Sequence, residues 1–275
     1  MSLPKVLFAG AAIRLVVPTL FPQITDVLST TAEVSTPVDS FRSLKEAFYY
    51  LDHGIDVYDG AMVHHPPLFV ALMASLRDLL PYSEFLFSLL YTITDVGIAF
   101  KLTQLNTWYN EYHSQSGRKL AGVSASLVAA FYLFNPLLIL TNWLHSTAVF
   151  TYFLIVELLV QAVVDKNIHR GAIALGVASY LSFNPIYLLA PYLGLAYAVA
   201  PQRQWKDQIV KTLVIFFFAV TSLLLISLAL YPLADFLKSC YWSVILFEKI
   251  TPNLGLWWYI FTEMFEFFTL LYKGI

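Results

Sequence analysis

Residues 57–80, Val57 to Leu80, read VYDGAMVHHPPLFVALMASLRDLL. They decide the topology, because a polar knot of Tyr, Asp, Gly, His and Pro is followed at Pro67 by an apolar segment too short to cross a membrane comfortably. About fourteen residues give roughly 21 Å of helix against a hydrocarbon layer of about 30 Å. The segment also carries Arg77 and Asp78. It is expected to enter the membrane and return.

Outward from that stretch the chain is oily. Of its 275 residues 59% are hydrophobic and 12% charged, with a mean hydropathy of +0.68. That is too apolar for a soluble domain, whose apolar share is nearer about 45–50%. The fold class expected is all-α, a polytopic membrane helix bundle forming one domain over residues 1–275, with a first loop at about 22–66 on the far side of the membrane. Spans are expected near 5–21, 84–105, 120–140, 147–164, 171–183, 186–200, 209–231 and 254–271. The first, interrupted by Arg14 and without an obvious A-x-A site, reads as a retained span rather than a signal peptide. The pair around Asn184-Pro185 is short and could form one re-entrant hairpin.

Basic residues set the orientation. With the N-terminus cytosolic and 67–80 not crossing, the cytosolic loops receive Arg118, Lys119, Lys166, Arg170, Arg203, Lys206 and Lys211, and the opposite loops after the first receive Lys238 and Lys249. A crossing at 67–80 would reverse that bias. Residues 22–66 then lie on the far side, which in a eukaryotic internal membrane is the lumen. Within them Ser43-Leu44-Lys45-Glu46 has capping-box spacing, and Phe41, Leu44, Phe48 and Leu51 recur at helical intervals. An amphipathic helix is expected there, lying on the lumenal interface and ending near Gly54.

Several groups stand out chemically. Asp59, His64 and His65 sit together in the knot, but adjacent histidines with no CxxC or HExxH spacing do not suggest a metal site. Asp95, Arg14 and Glu157 are ionisable groups inside spans, where a charge costs about 2.5–3.5 kcal/mol on insertion scales, so they face a protein interior or a wet cavity. Asn135-Pro136 and Asn184-Pro185 lie in similar segments, FYLFNP and YLSFNP, each at the lumenal end of a span. Near the C-terminus Asn253, Trp257, Glu263 and Glu266 belong to ITPNLGLWWYIFTEMFEFF, with Glu263 and Glu266 one turn apart. The single Cys240 excludes an internal disulfide or a CxxC pair. No cofactor, metal or nucleic acid is expected.

That last stretch resembles the PIG-U family, the polytopic subunit of the GPI transamidase of the endoplasmic reticulum. The resemblance rests on Thr251-Pro252-Asn253, Gly255-Leu256-Trp257-Trp258-Tyr259 and Glu263-Met264-Phe265-Glu266. Tyr58, Gly60, Ala61, His64, Pro67 and Leu68, then Thr94-Asp95, Phe131-Tyr132-Leu133 and Asn135-Pro136 add to it. It implies a non-catalytic subunit that recognises or positions the GPI glycolipid and braces its partners, among them a caspase-like catalytic subunit. It also implies further spans after Ile275, so that this chain would be C-terminally truncated. Candidate contacts to glycolipid or other subunits are Asp59, His64, His65, Asp95, Asn135, Asn253, Trp257, Glu263 and Glu266. The first half also resembles the lumen-facing mannosyltransferases of the GT-C type, whose acidic first-loop residues are reduced here to Asp39. The alternative is therefore a dolichol-phosphate-mannose-dependent mannosyltransferase of the endoplasmic reticulum. A small-solute transporter would need paired broken helices with a coupling-ion site, and no such site is evident.

Overall fold

The computed structural model describes residues 2–21, 23, 25, 28, 38–60, 62–79, 83–115, 122–199 and 204–243. The expected final span at 254–271 and the motif carrying Asn253, Trp257, Glu263 and Glu266 lie outside the described residues. Within them all regular structure is helical, in the order α1 (Leu3–Leu20), α2 (Phe41–Asp52), α3 (Pro67–Leu79), α4 (Ser83–Gln115), α5 (Ala125–Leu133), α6 (Pro136–Trp143), α7 (Ala148–Leu159), α8 (Ile168–Leu181), α9 (Leu189–Val199), α10 (Trp205–Leu230) and α11 (Asp235–Leu237). A π turn, Val160–Val164, extends α7, a 3-10 turn, Asn184–Leu188, joins α8 to α9, and a second π turn, Lys238–Trp242, follows α11. Among the described residues α1, α4 and α10 are long and apolar enough to cross a membrane, and the α5–α6 pair, bent by 54°, would make a fourth such span. The chain is an all-α membrane helix bundle.

The amphipathic helix forms, with two corrections. It starts at Phe41, not at Ser43, because the Ser40 hydroxyl accepts from the Arg42 N–H at 3.1 Å while the Ser43 hydroxyl donates to the Met62 carbonyl at 2.6 Å. Its apolar face, with Phe41, Leu44, Ala47 and Phe48 buried, packs into the protein core and not onto lipid. Gly54, at φ 65°, supplies the left-handed residue that stops it. Below it α3 buries Phe69, Val70 and Met73, and Arg77 at its end forks onto both oxygens of Asp52 at 2.9 and 2.8 Å. The thirteen residues of α3 are thus tied at their end to α2.

The expected span over 120–140 is broken. Pro136 removes a helix donor, and the Asn135 side chain accepts from the Leu137 N–H at 3.0 Å, so a new helix begins at the break. The break therefore lies between α5 and α6, which are bent by 54° across it. The expected span beginning at Glu84 continues to Gln115 and outruns its expected end at Leu105 by ten residues.

Around α8 the packing is close. Gly176 brings α8 so near α10 that a Cβ would sit 2.8 Å from that of Ala219, and a Cβ on Gly171 would meet the Tyr192 hydroxyl and, at 2.9 Å, the Leu158 carbonyl. Small residues let backbones approach where lipid offers no hydrophobic drive. The helix is therefore buried between α7 and α10, with Ala172, Leu175 and Ala178 in the core.

Candidate functional site

Two polar assemblies tie the helices of the bundle together. The first is built where four helices meet. Arg14 on α1 is 0% exposed, Asp95 on α4 3% and Asn142 on α6 4%. Arg14 Nε donates to Asp95 Oδ2 at 2.8 Å, Asn142 Nδ2 to the same oxygen at 2.8 Å, and the Tyr132 hydroxyl on α5 to Oδ1 at 2.9 Å. Arg14 Nη1 donates to the Leu133 carbonyl at 2.7 Å and the Gly10 carbonyl at 3.3 Å. That Leu133 carbonyl lies in the last turn of α5, so the guanidinium also caps a helix end. Two charges in hydrocarbon are tolerable because each meets several partners. Arg14 Nη2 has no hydrogen-bond partner among the described residues. Glu157, the third charge, is engaged separately by Lys101, and Gln161 Nε2 donates to it at 2.9 Å.

The second assembly is centred on Tyr180 of α8, and it holds the knot. Ser227 on α10 donates its hydroxyl hydrogen to the Leu223 carbonyl at 2.8 Å. Its contact with the Tyr180 hydroxyl at 2.6 Å therefore has Tyr180 as donor. The Tyr180 oxygen in turn accepts from the N–H of Leu68 at 3.1 Å, an orphan donor in the first turn of α3. The Tyr241 hydroxyl donates to the Tyr180 carbonyl at 2.6 Å. One tyrosine thus joins α3, α8, α10 and the turn after α11.

The knot itself is fastened at several points. The Tyr58 hydroxyl donates to the His65 carbonyl at 2.8 Å, with its ring edge-on to Tyr231 at 5.3 Å. His65, 4% exposed, donates from Nε2 to the Ser40 carbonyl at 3.2 Å, and burial pulls its pKa down to about 4. His64 donates from Nδ1 to the Ser239 carbonyl at 2.7 Å. Asp59 is exposed. The structure brings His64 and His65 into this assembly, places Asp95 in the other, and leaves Asn135 as a helix cap between α5 and α6. Burial likewise pushes the Cys240 thiol up, which leaves it a poor nucleophile.

Several residues of weight had no sequence signal that marked them. His145, left-handed at φ 53°, sits between α6 and α7 with its Nε2 3.0 Å from the Ser88 hydroxyl and its ring tilted against Phe41 and Tyr91. Thr147 donates through both its N–H and its hydroxyl to the Asp39 carbonyl, at 3.0 and 3.2 Å. Asp39 is therefore held by its backbone at the foot of α7. Asn142, Tyr180 and Ser227 were equally silent, since Tyr and Ser are common in apolar helices. The YLSFNP segment was the one hint of Tyr180.

Among the described residues no group of His, Cys, Asp and Glu is gathered for a metal ion. The arrangement can hold the helices and the knot in a set shape; the polar groups that hold it are turned inward, onto one another and onto backbone.

Comparison with known proteins gives one consistent answer. A family profile described as GPI transamidase subunit PIG-U matches residues 8–275. The chain is similar to the GPI transamidase component GAB1 of Saccharomyces cerevisiae, 35% identical over 98% of this chain and 64% of that protein. It is also similar to the GPI-anchor transamidase component PIGU of Homo sapiens, 28% identical over 99% of this chain and 66% of that protein. The GAB1 homolog of Schizosaccharomyces pombe is 25% identical over 89% of this chain and 58% of that protein. The chain spans somewhat under two thirds of the length of these relatives.

Proposed function

The chain belongs to the PIG-U family of GPI transamidase subunits, and from that premise we propose that it acts as a non-catalytic subunit of the transamidase in the endoplasmic reticulum membrane. It recognises or positions the GPI glycolipid and braces the other subunits, including the caspase-like one, while GPI is joined to proprotein C-termini. The observation that carries the reading is the family match along residues 8–275.

The geometry supports the non-catalytic part. His64 and His65 each spend a ring nitrogen on a backbone carbonyl, and Cys240 is buried. Arg14 and Asp95 neutralise one another, so the charges in the spans are used for cohesion. Asp59 and the exposed edge of the knot remain available to a polar headgroup at the lumenal surface, beside the glycolipid's point of entry. Asn253, Trp257, Glu263 and Glu266 complete the proposed contact set.

Depleting the protein tests this. Complete GPI should accumulate together with unprocessed proproteins, and the tagged chain should recover the caspase-like subunit in mild detergent. Accumulation of a mannose-deficient GPI precursor would instead assign the chain to sugar transfer and overturn the reading.

A further inference from the structure

At the other end of α4 lies a cavity of about 750 Å³, bounded by α4, the π turn after α7 and the end of α9. Seventeen residues of helix separate Tyr91, beside the knot's core, from Trp108 in its wall, about 26 Å along the axis. The cavity thus belongs to the face that carries Lys166 and Arg170, which the excess of Lys and Arg in short loops assigns to the cytosol. Its volume falls in the range of small-ligand sites, about 300–1,000 Å³.

The lining is that of an amphiphile's site. Val163, Leu195 and Val199 give the lining an apolar part, and Lys166 and Glu111 give it a cation and an anion. No ion pair among the described residues engages either charge. Trp108 and Tyr112 stack in the wall, ring centroids 5.5 Å apart and 19° from parallel. Gln104, also in the wall, has a buried Oε1 with no hydrogen-bond partner. The backbone around the site is irregular as well. Val160–Val164 is a π turn and Lys166 is left-handed at φ 54°, both features that persist where the surrounding structure or a ligand requires them.

We propose that this cavity binds the phosphoethanolamine headgroup of a cytosolic-leaflet glycerophospholipid. Lys166 meets the phosphate, while the ammonium lies against the Trp108–Tyr112 pair and Glu111. A cation and an anion lining one cavity, with no ion pair to either among the described residues, match a zwitterion. An ethanolamine ammonium has N–H donors to offer Gln104 Oε1, and a choline has none. The apolar part takes the first segments of an acyl chain, so the lipid is bound and the free headgroup is not. This site is independent of the lumenal glycolipid reading and lies at the opposite membrane face.

Native mass spectrometry of the full chain, delipidated in mild detergent and titrated with palmitoyl-oleoyl phosphatidylethanolamine, phosphatidylcholine or soluble phosphoethanolamine, tests it. Wild type should retain the ethanolamine lipid at least five-fold more than the choline lipid, and soluble phosphoethanolamine should not compete. Lys166→Glu and Glu111→Lys should each cut retention at least five-fold, with Arg170→Glu, outside the cavity, unchanged. Thermal melting of each variant separates lost binding from lost fold. Equal retention of the two lipids by wild type, competition by the soluble headgroup, or undiminished retention by folded charge-reversed variants would overturn the proposal. The headgroup comparison on wild type decides it even where a variant fails to fold.

Discussion

The Arg14–Asp95 assembly and the Tyr180 assembly both fasten distant helices, and they do so with opposite electrostatics. In the first, a guanidinium and a carboxylate, 81 residues apart in the chain, are joined at 2.8 Å and supported by Tyr132 and Asn142. In the second, only neutral groups take part: Tyr180, Ser227, Tyr241 and the N–H of Leu68. The charged assembly is costly to build and very costly to break on one side, because the remaining charge is stranded in a low dielectric. The neutral one is cheaper to build and loses less when a single hydroxyl goes. Membrane cohesion and loop placement are thus assigned to chemically different joints.

The sharpest way to break this contrast is to remove one charge. Asp95→Leu should destabilise the protein by about 3–5 kcal/mol, read as a large fall in the thermal midpoint in detergent. Removing both, in Arg14→Leu with Asp95→Leu, should recover much of that loss. A double variant as damaged as the single one would show that packing, not charge, holds the joint.

A smaller effect is expected where a titratable group lies inside the neutral assembly's loop. Burial holds His65 at about 4, below its ordinary 6.5, because the charged ring would lose its hydration there, which outweighs the opposite pull of the Ser40 carbonyl on its Nε2. The unfolded chain binds the proton first, so this part of the stability is fully present above about pH 6.5 and is lost as pH falls towards 4. The difference corresponds to roughly 3 kcal/mol across that window. Melting measured from pH 7.5 to 4.5 should show the slope in wild type and a flatter one in His65→Asn, and equal slopes would exclude His65 as its source.

Least is expected from Tyr180→Phe, about 1–2 kcal/mol, since the Leu68 N–H and the Ser227 oxygen each lose one partner. Hydrogen exchange resolved at Leu68 should report it locally. A loss as large as that from Asp95→Leu would erase the distinction between the joints.

The two assemblies also differed in how legible they were. Arg14 and Asp95 were conspicuous as charges within apolar runs, where physics demands a partner. The partner's identity was not, because Asn142 reaches Asp95 only after the chain breaks at Asn135-Pro136 and bends. Tyr180 is one of seventeen tyrosines, and a hydroxyl in an apolar helix can satisfy itself locally, so nothing in its surroundings asked for Ser227 or Leu68. The knot at 57–67 was legible as polar and stiff. That its histidines are bound to Ser40 and Ser239 was not, since those contacts span 25 and 175 residues. In the same way the amphipathic period around Phe41 announced a helix and a buried face, but not whether lipid or protein would cover it.

Composition and local pattern by themselves determined a helical membrane protein, its punctuation at Gly and Pro and the charges that had to be paired. These follow from hydrocarbon's inability to solvate backbone or charge, which acts on each segment alone. Against the eight expected spans, three helices, or four with the bent pair, are long and apolar enough to cross among the described residues. Only the tertiary structure decided which groups meet. It took a broken helix to deliver Asn142 to Asp95, a buried α8 to carry Tyr180 to the start of α3, and the approach of α4, the π turn and α9 to enclose the cavity. Such meetings depend on positions tens to hundreds of residues apart, and they exist only once the helices have packed.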